Sequence, residues 1–96
     1  MRIKDNFNKD LSGQRAGVAL RKQAQKEMKE KGYLDLDFSG IESMNYTFAN
    51  EVFGKLLIIL GTNEFQNNIY IKNANTKILQ TIRQVLDKKI EHLEKK

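Results

Sequence analysis

The sequence predicts an α/β fold. One small domain is expected, with a mostly parallel sheet of three to four strands, helices packed mainly on one face, and the order (β)αβαβα. Three observations carry this expectation. Residues 33–38 and 68–72 alternate apolar and polar side chains with period two, as half-buried strands do. Three longer segments, 12–31, 45–60 and one that follows Asn75, repeat apolar residues at helical spacing instead. Strands separated by helices need crossover connections, which leave the strands parallel.

A short strand is expected around residues 2–4. Ser12 then offers an N-cap for a first helix that runs to Lys31 and stops at Gly32. Its apolar residues Ala16, Leu20, Ala24 and Met28 recur every four positions, a stripe narrow enough to pack by one edge. In the strand that follows, Leu34, Leu36 and Phe38 share one side and Tyr33, Asp35 and Asp37 the other, and Ser39-Gly40 breaks it with a turn. The second helix opens between Asn45 and Thr47 and ends at Leu60, with Gly61 as its cap. Phe48, Val52, Phe53, Leu56, Leu57, Ile59 and Leu60 cover more than half of its circumference, so it is expected to be the most buried helix. Ile69 and Ile71 oppose Tyr70 and Lys72 in the next strand. Asn73 and Asn75 then lead into a helix carrying Ile78, Leu79, Ile82, Val85, Leu86 and Leu93. Strands of a fully covered parallel sheet read as continuous apolar runs. Both strands here keep a polar side, so one sheet face is expected to be open or covered by a partner or a second copy.

Ninety-six residues make a single domain, 1–96, large enough for a core of its own. The chain has no cysteine and one histidine, which removes disulfides, thiol chemistry and a multi-histidine metal site within one chain. No metal or cofactor is expected. The longest apolar run, 56–60, falls far short of a membrane span, and residues 1–10 have no apolar signal core, so a cytoplasmic location is the expectation. The formal charge of +5 could attract nucleic acid. Its carriers are interleaved with acids: Lys26, Lys29 and Lys31 with Glu27 and Glu30, and Lys88, Lys89, Lys95 and Lys96 with Asp87, Glu91 and Glu94. That mixture describes a solvated face, so a small basic nucleic-acid-binding protein is the alternative reading. Gly13 and Gly17 sit in or beside a helix and form no phosphate-binding loop. Asp35 and Asp37 share a strand face and are the one pair of carboxylates that could do acid–base work. A polar exposed sheet face explains them more simply. His92 lies among charged residues with no nucleophile motif, so no catalytic activity is expected.

Residues 34–54, LDLDFSGIESMNYTFANEVFG, resemble the STAS-like family, bacterial relatives of the anti-sigma factor antagonists. The likeness lies in an apolar strand ending in Asp37-Phe38-Ser39-Gly40, a loop with Met44, Thr47 at a helix opening, and the TFANEVFG stretch. Asn45 stands where the antagonists usually carry Asp, and Asn50 where the STAS-like pattern has Asp. The resemblance implies a non-catalytic regulatory module that docks a protein partner, an ATPase-kinase or anti-sigma-like regulator. It also implies that Thr47 is the candidate phosphoacceptor, with Asn45, Tyr46, Asn50 and Glu51 completing the partner-binding face. Local physics fits that idea, since a helix N-terminus presents unpaired N–H groups and partial positive charge to a phosphate. N-capping is the plain alternative for Asn45 and Thr47, and Ser43 reads as a loop hydroxyl. A homodimer through the open face or an edge strand is a further expectation.

Overall fold

The computed structural model describes residues 1–94; Lys95 and Lys96, the end of the mixed-charge C-terminal run, lie outside the described residues. Arg2 forms an isolated parallel bridge with Asp37, and the chain then curls into a single 3-10 turn, Ile3–Asp5. The strand expected at residues 2–4 is thereby reduced to one paired residue. Ile3 is fully buried, and its carbonyl accepts the N–H groups of Asn6 and Phe7, which turns the chain away from the sheet. Next come β1 (Asp10–Leu11), α1 (Gln14–Lys31), β2 (Leu34–Asp37) and β3 (Ser43–Met44). A long helix follows, made of α2 (Tyr46–Ala49), a π turn (Asn50–Gly54) and α3 (Lys55–Leu60); α4 (Thr62–Asn68), β4 (Ile69–Lys72) and α5 (Thr76–Glu94) complete the order.

All strand pairs are parallel, as the crossovers require, but they form two sheets of two strands and not one sheet of three to four. In one, β2 pairs with β4 from Leu34 opposite Ile69 to Asp37 opposite Lys72. In the other, Asp10 faces Ser43 and Leu11 faces Met44 across β1 and β3. The division has a local cause. Gly40, at φ 79°, and the bond from Ile41 N–H to the Phe38 carbonyl swing the chain off the end of β2. The far edge of β2 is held by the N-terminal residues, with Asp37 N–H donating to the Met1 carbonyl at 2.8 Å.

The helices cover one face of the β2–β4 pair. Leu34 and Leu36 are fully buried beneath them, whereas Tyr70 and Lys72 on the other face are exposed. Phe38, Phe48 and Phe53 are fully buried at the centre, Phe38 and Phe53 stacked with ring centroids 6.4 Å apart. The long helix is the most buried, as its composition predicts, through Phe48, Val52, Phe53, Leu56 and Leu57. Ile59 departs from expectation and is 55% exposed beside Ile58 at 53%. The π turn explains this, because its extra residue shifts the phase of every side chain beyond Gly54 relative to a 3.6-residue repeat.

α1 starts at Gln14 with Gly13 (φ 89°) in the cap position expected for Ser12, and it ends as predicted at Gly32, whose N–H bonds the Met28 carbonyl at 2.7 Å. α4 carries no clear apolar period, since Phe65 is its one buried side chain. On α5, Ile78, Ile82 and Val85 enter the core, while Leu79 and Leu93 remain exposed. Among the described residues no helix is long and apolar enough to cross a membrane.

Candidate functional site

The small β1–β3 sheet positions the opening of the long helix. Asn45 N–H donates to the Leu11 carbonyl at 2.9 Å, fixing the residue in an extended conformation (φ −83°, ψ 167°). From there its side-chain oxygen accepts the N–H of Phe48 at 2.9 Å, and its carbonyl accepts the N–H of Ala49. Asn45 is therefore the N-cap, and Thr47 is the second helical residue. Among the described residues the N–H groups of Tyr46 and Thr47 and the Thr47 hydroxyl have no hydrogen-bond partner. Asn45, Tyr46 and Thr47 are exposed together, Tyr46 by 42%. Ser43 is an edge-strand residue whose hydroxyl donates to Asp10 Oδ1 at 2.7 Å.

The two remaining residues expected on this face lie deeper. Asn50 is half-buried, with its Oδ1 turned toward Gly54. Glu51 was expected at the partner-binding surface, but it points inward and is 7% exposed. Its Oε2 accepts from Arg21 Nη1 at 2.9 Å and its Oε1 from Gln14 Nε2 at 3.2 Å; Arg21 Nη1 also reaches the Glu51 carbonyl at 3.2 Å. The reason is the close crossing of α1 over the π turn. A Cβ on Gly17 would lie 2.7 Å from Glu51 Cβ and 3.1 Å from the Phe48 carbonyl oxygen, so only glycine permits this approach. Gln14, Gly17 and Arg21 lie on one face of α1, three and four residues apart, and that polar face with a glycine at its middle was the sequence signal for the crossing.

The Ser39-Gly40 turn has a second structural centre. Asp37 Oδ1 accepts from Ser39 N–H at 2.9 Å, Ser39 Oγ at 2.7 Å and Asn73 Nδ2 at 3.0 Å. The bonds from Asn73 and Ser39 hold the Asp37 carboxyl well below the usual carboxylate range, with the nearby Lys72 charge adding to them. That direction is opposite to the raised value a general acid needs. Asp35, the other carboxylate of the pair, is bridged by Lys72 at 3.3 Å on the open face. Asn73 adopts φ 60°, the one non-glycine residue with positive φ among those described. Asn75 caps α5 through Ile78 N–H at 2.9 Å and ties it to the Glu42 carbonyl at 2.9 Å. His92 is exposed near the end of α5, and no cluster of three metal-binding side chains occurs among the described residues.

A parallel strand pair under helices on one face, with a polar turn leading to a capped helix opening, is consistent with a STAS-like domain. The family model described as "STAS-like domain of unknown function (DUF4325)" matches residues 16–79, two thirds of the length, and the chain belongs to that family. The match runs from α1 to the first turn of α5 and includes the whole of the junction. No curated protein and no solved structure matches the chain.

Proposed function

We propose that this domain is a non-catalytic regulatory module that docks a protein partner on the helix opening formed by Asn45, Tyr46 and Thr47. The observation that carries the reading is the free Thr47 hydroxyl beside two unpartnered N–H groups on an exposed, firmly capped turn. A phosphate on Thr47 meets those N–H groups and the positive end of the long helix without disturbing a native hydrogen bond. It also adds about −1.5 to −2 charges to a surface that a partner reads. An ATPase-kinase or an anti-sigma-like regulator is the partner class that the STAS-like character suggests. The depressed Asp37 carboxyl and the bridged Asp35 support a non-catalytic role, as both are committed to holding the turn and the sheet.

A photo-crosslinking residue substituted for Tyr46 in the native host tests the docking surface. A discrete adduct from position 46, and none from Gln84 on the exposed side of α5, is the expected result. Absence of any discrete adduct at 46 refutes the surface. Intact-mass measurement of protein recovered from the same cells tests the switch: a phosphoryl group lost in Thr47→Ala supports it, and an unmodified wild type refutes it.

A further inference from the structure

We propose that the open edge of β4 pairs antiparallel with β4 of a second copy of this chain, with Ile71 on the two-fold axis, joining the two β2–β4 pairs into one four-stranded sheet. The inference does not rest on the docking reading above.

The free backbone of Ile71 carries it. Lys72 turns its carbonyl to β2, accepting Phe38 N–H at 2.9 Å, so by the alternation of strand bonding Tyr70 faces β2 as well and Ile71 faces outward. No strand pairs with β4 on that side, and Ile71 N–H and C=O have no partner among the described residues. The outward N–H of Ile69 is already used, donating to the Phe65 carbonyl at the end of α4. One residue thus offers a complete donor and acceptor pair. An antiparallel copy centred on Ile71 satisfies both with two reciprocal bonds, whereas a register centred on Tyr70 needs the occupied Ile69 N–H. The edge has no proline, and the one charge on this four-residue strand, Lys72, lies on the open face.

Both faces of β4 are complementary to themselves in this register. On the helix side, Leu36, Ile71, Ile71 of the second copy and its Leu36 make one apolar row. A cavity of about 270 Å³ lies beside it, lined by Leu57, Phe65, Ile69, Ile71, Leu86 and Ile90 together with Thr62 and Gln66. On the open side, Tyr70 faces Lys72 of the second copy. Since Asp35 pairs in register with Tyr70 and Asp37 with Lys72, the row reads acid, lysine, aromatic ring, acid across the axis, with no like charges opposed. A two-stranded sheet is marginal alone, and four strands remove its longest open edge.

Light scattering and sedimentation on the purified 96-residue chain are expected to show a dimer of twice 11.2 kDa that dissociates on dilution. Tyr70→Glu and Tyr70→Lys both lose the ring contact with Tyr33 and the bond to the Asn67 carbonyl, and the new charge meets Asp35 of its own chain in monomer and dimer alike, so their difference in affinity reads the charge opposite them in the second copy. The Glu variant is expected to dimerise roughly tenfold more tightly than the Lys variant, since each pairs twice with Lys72 across the axis. The chain has no cysteine, so Ile71→Cys introduces a single thiol. On mild oxidation it is expected to crosslink faster than Tyr70→Cys or Lys72→Cys, because a hydrogen-bonded antiparallel pair places Cα atoms about 5.5 Å apart. A monomer at every concentration, equal affinities for the two Tyr70 variants, or fastest crosslinking at position 70 or 72 each overturns the proposal.

Discussion

Removing either partner of the Arg21–Glu51 pair is expected to destabilise the fold, and unequally. The Glu51 side chain is 9% exposed and that of Arg21 19%, with 2.9 Å between Oε2 and Nη1. Breaking a buried pair by deleting one partner costs about 3–5 kcal/mol because the surviving charge is left without compensation. Water reaches part of the guanidinium, so Glu51→Ala should fall below that range, at about 2 kcal/mol. Arg21→Ala strands the less exposed carboxylate with only the Gln14 amide, so it should cost about 3 kcal/mol. Glu51→Gln keeps the shape and one acceptor and should lose about 1 kcal/mol. Urea unfolding followed by far-ultraviolet circular dichroism measures these values; with slopes of about 1–3 kcal/mol/M, a 2 kcal/mol loss moves the midpoint by about 0.7–2 M. Single-mutant losses under about 0.5 kcal/mol, the range of ordinary surface changes, would mean that the pair is a surface contact. A greater loss for Glu51→Ala than for Arg21→Ala would refute the burial argument.

Gly17→Ala is expected to destabilise by about 1–2 kcal/mol in the same assay, although alanine favours an isolated helix by about 1 kcal/mol, because its Cβ would stand 2.7 Å from Glu51 Cβ. Asn45→Ala should cost about 1 kcal/mol through loss of the cap, whereas Thr47→Ala should stay within about 0.5 kcal/mol; the reverse order would make Thr47 the capping residue. Asp37 has its native pKa depressed, so it stabilises the fold fully above the unfolded carboxyl's 3.8 and progressively less as pH falls through the native value. Asp37→Asn should therefore be less stable than wild type at neutral pH, with the difference shrinking below about pH 4 in an acid titration of unfolding. A pH-independent difference would remove the carboxylate from the turn.

Local pattern determined much of this protein. Leu34 and Leu36 alternate with Asp35 and Asp37, and that alternation alone established β2, its buried face and its polar one. The spacing of apolar residues in 45–60 established a buried helix, and Gly32, Gly61, Asn45 and Asn75 marked element ends because their backbone or side-chain chemistry acts within a few residues. The junction with Thr47 was legible for the same reason. Contacts between distant segments were not. Glu51 was expected on the partner-binding face, and only the crossing at Gly17 brings Arg21 and Gln14 to it from 30 and 37 residues away. The π turn altered the phase that a 3.6-residue repeat assigns to Ile59. The division into two sheets depended on two-residue strands, β1 and β3, too short to leave a period in the sequence. Periodicity reports which side of an element is apolar; tertiary packing alone decides what that side meets, and so which residues remain free to meet a partner.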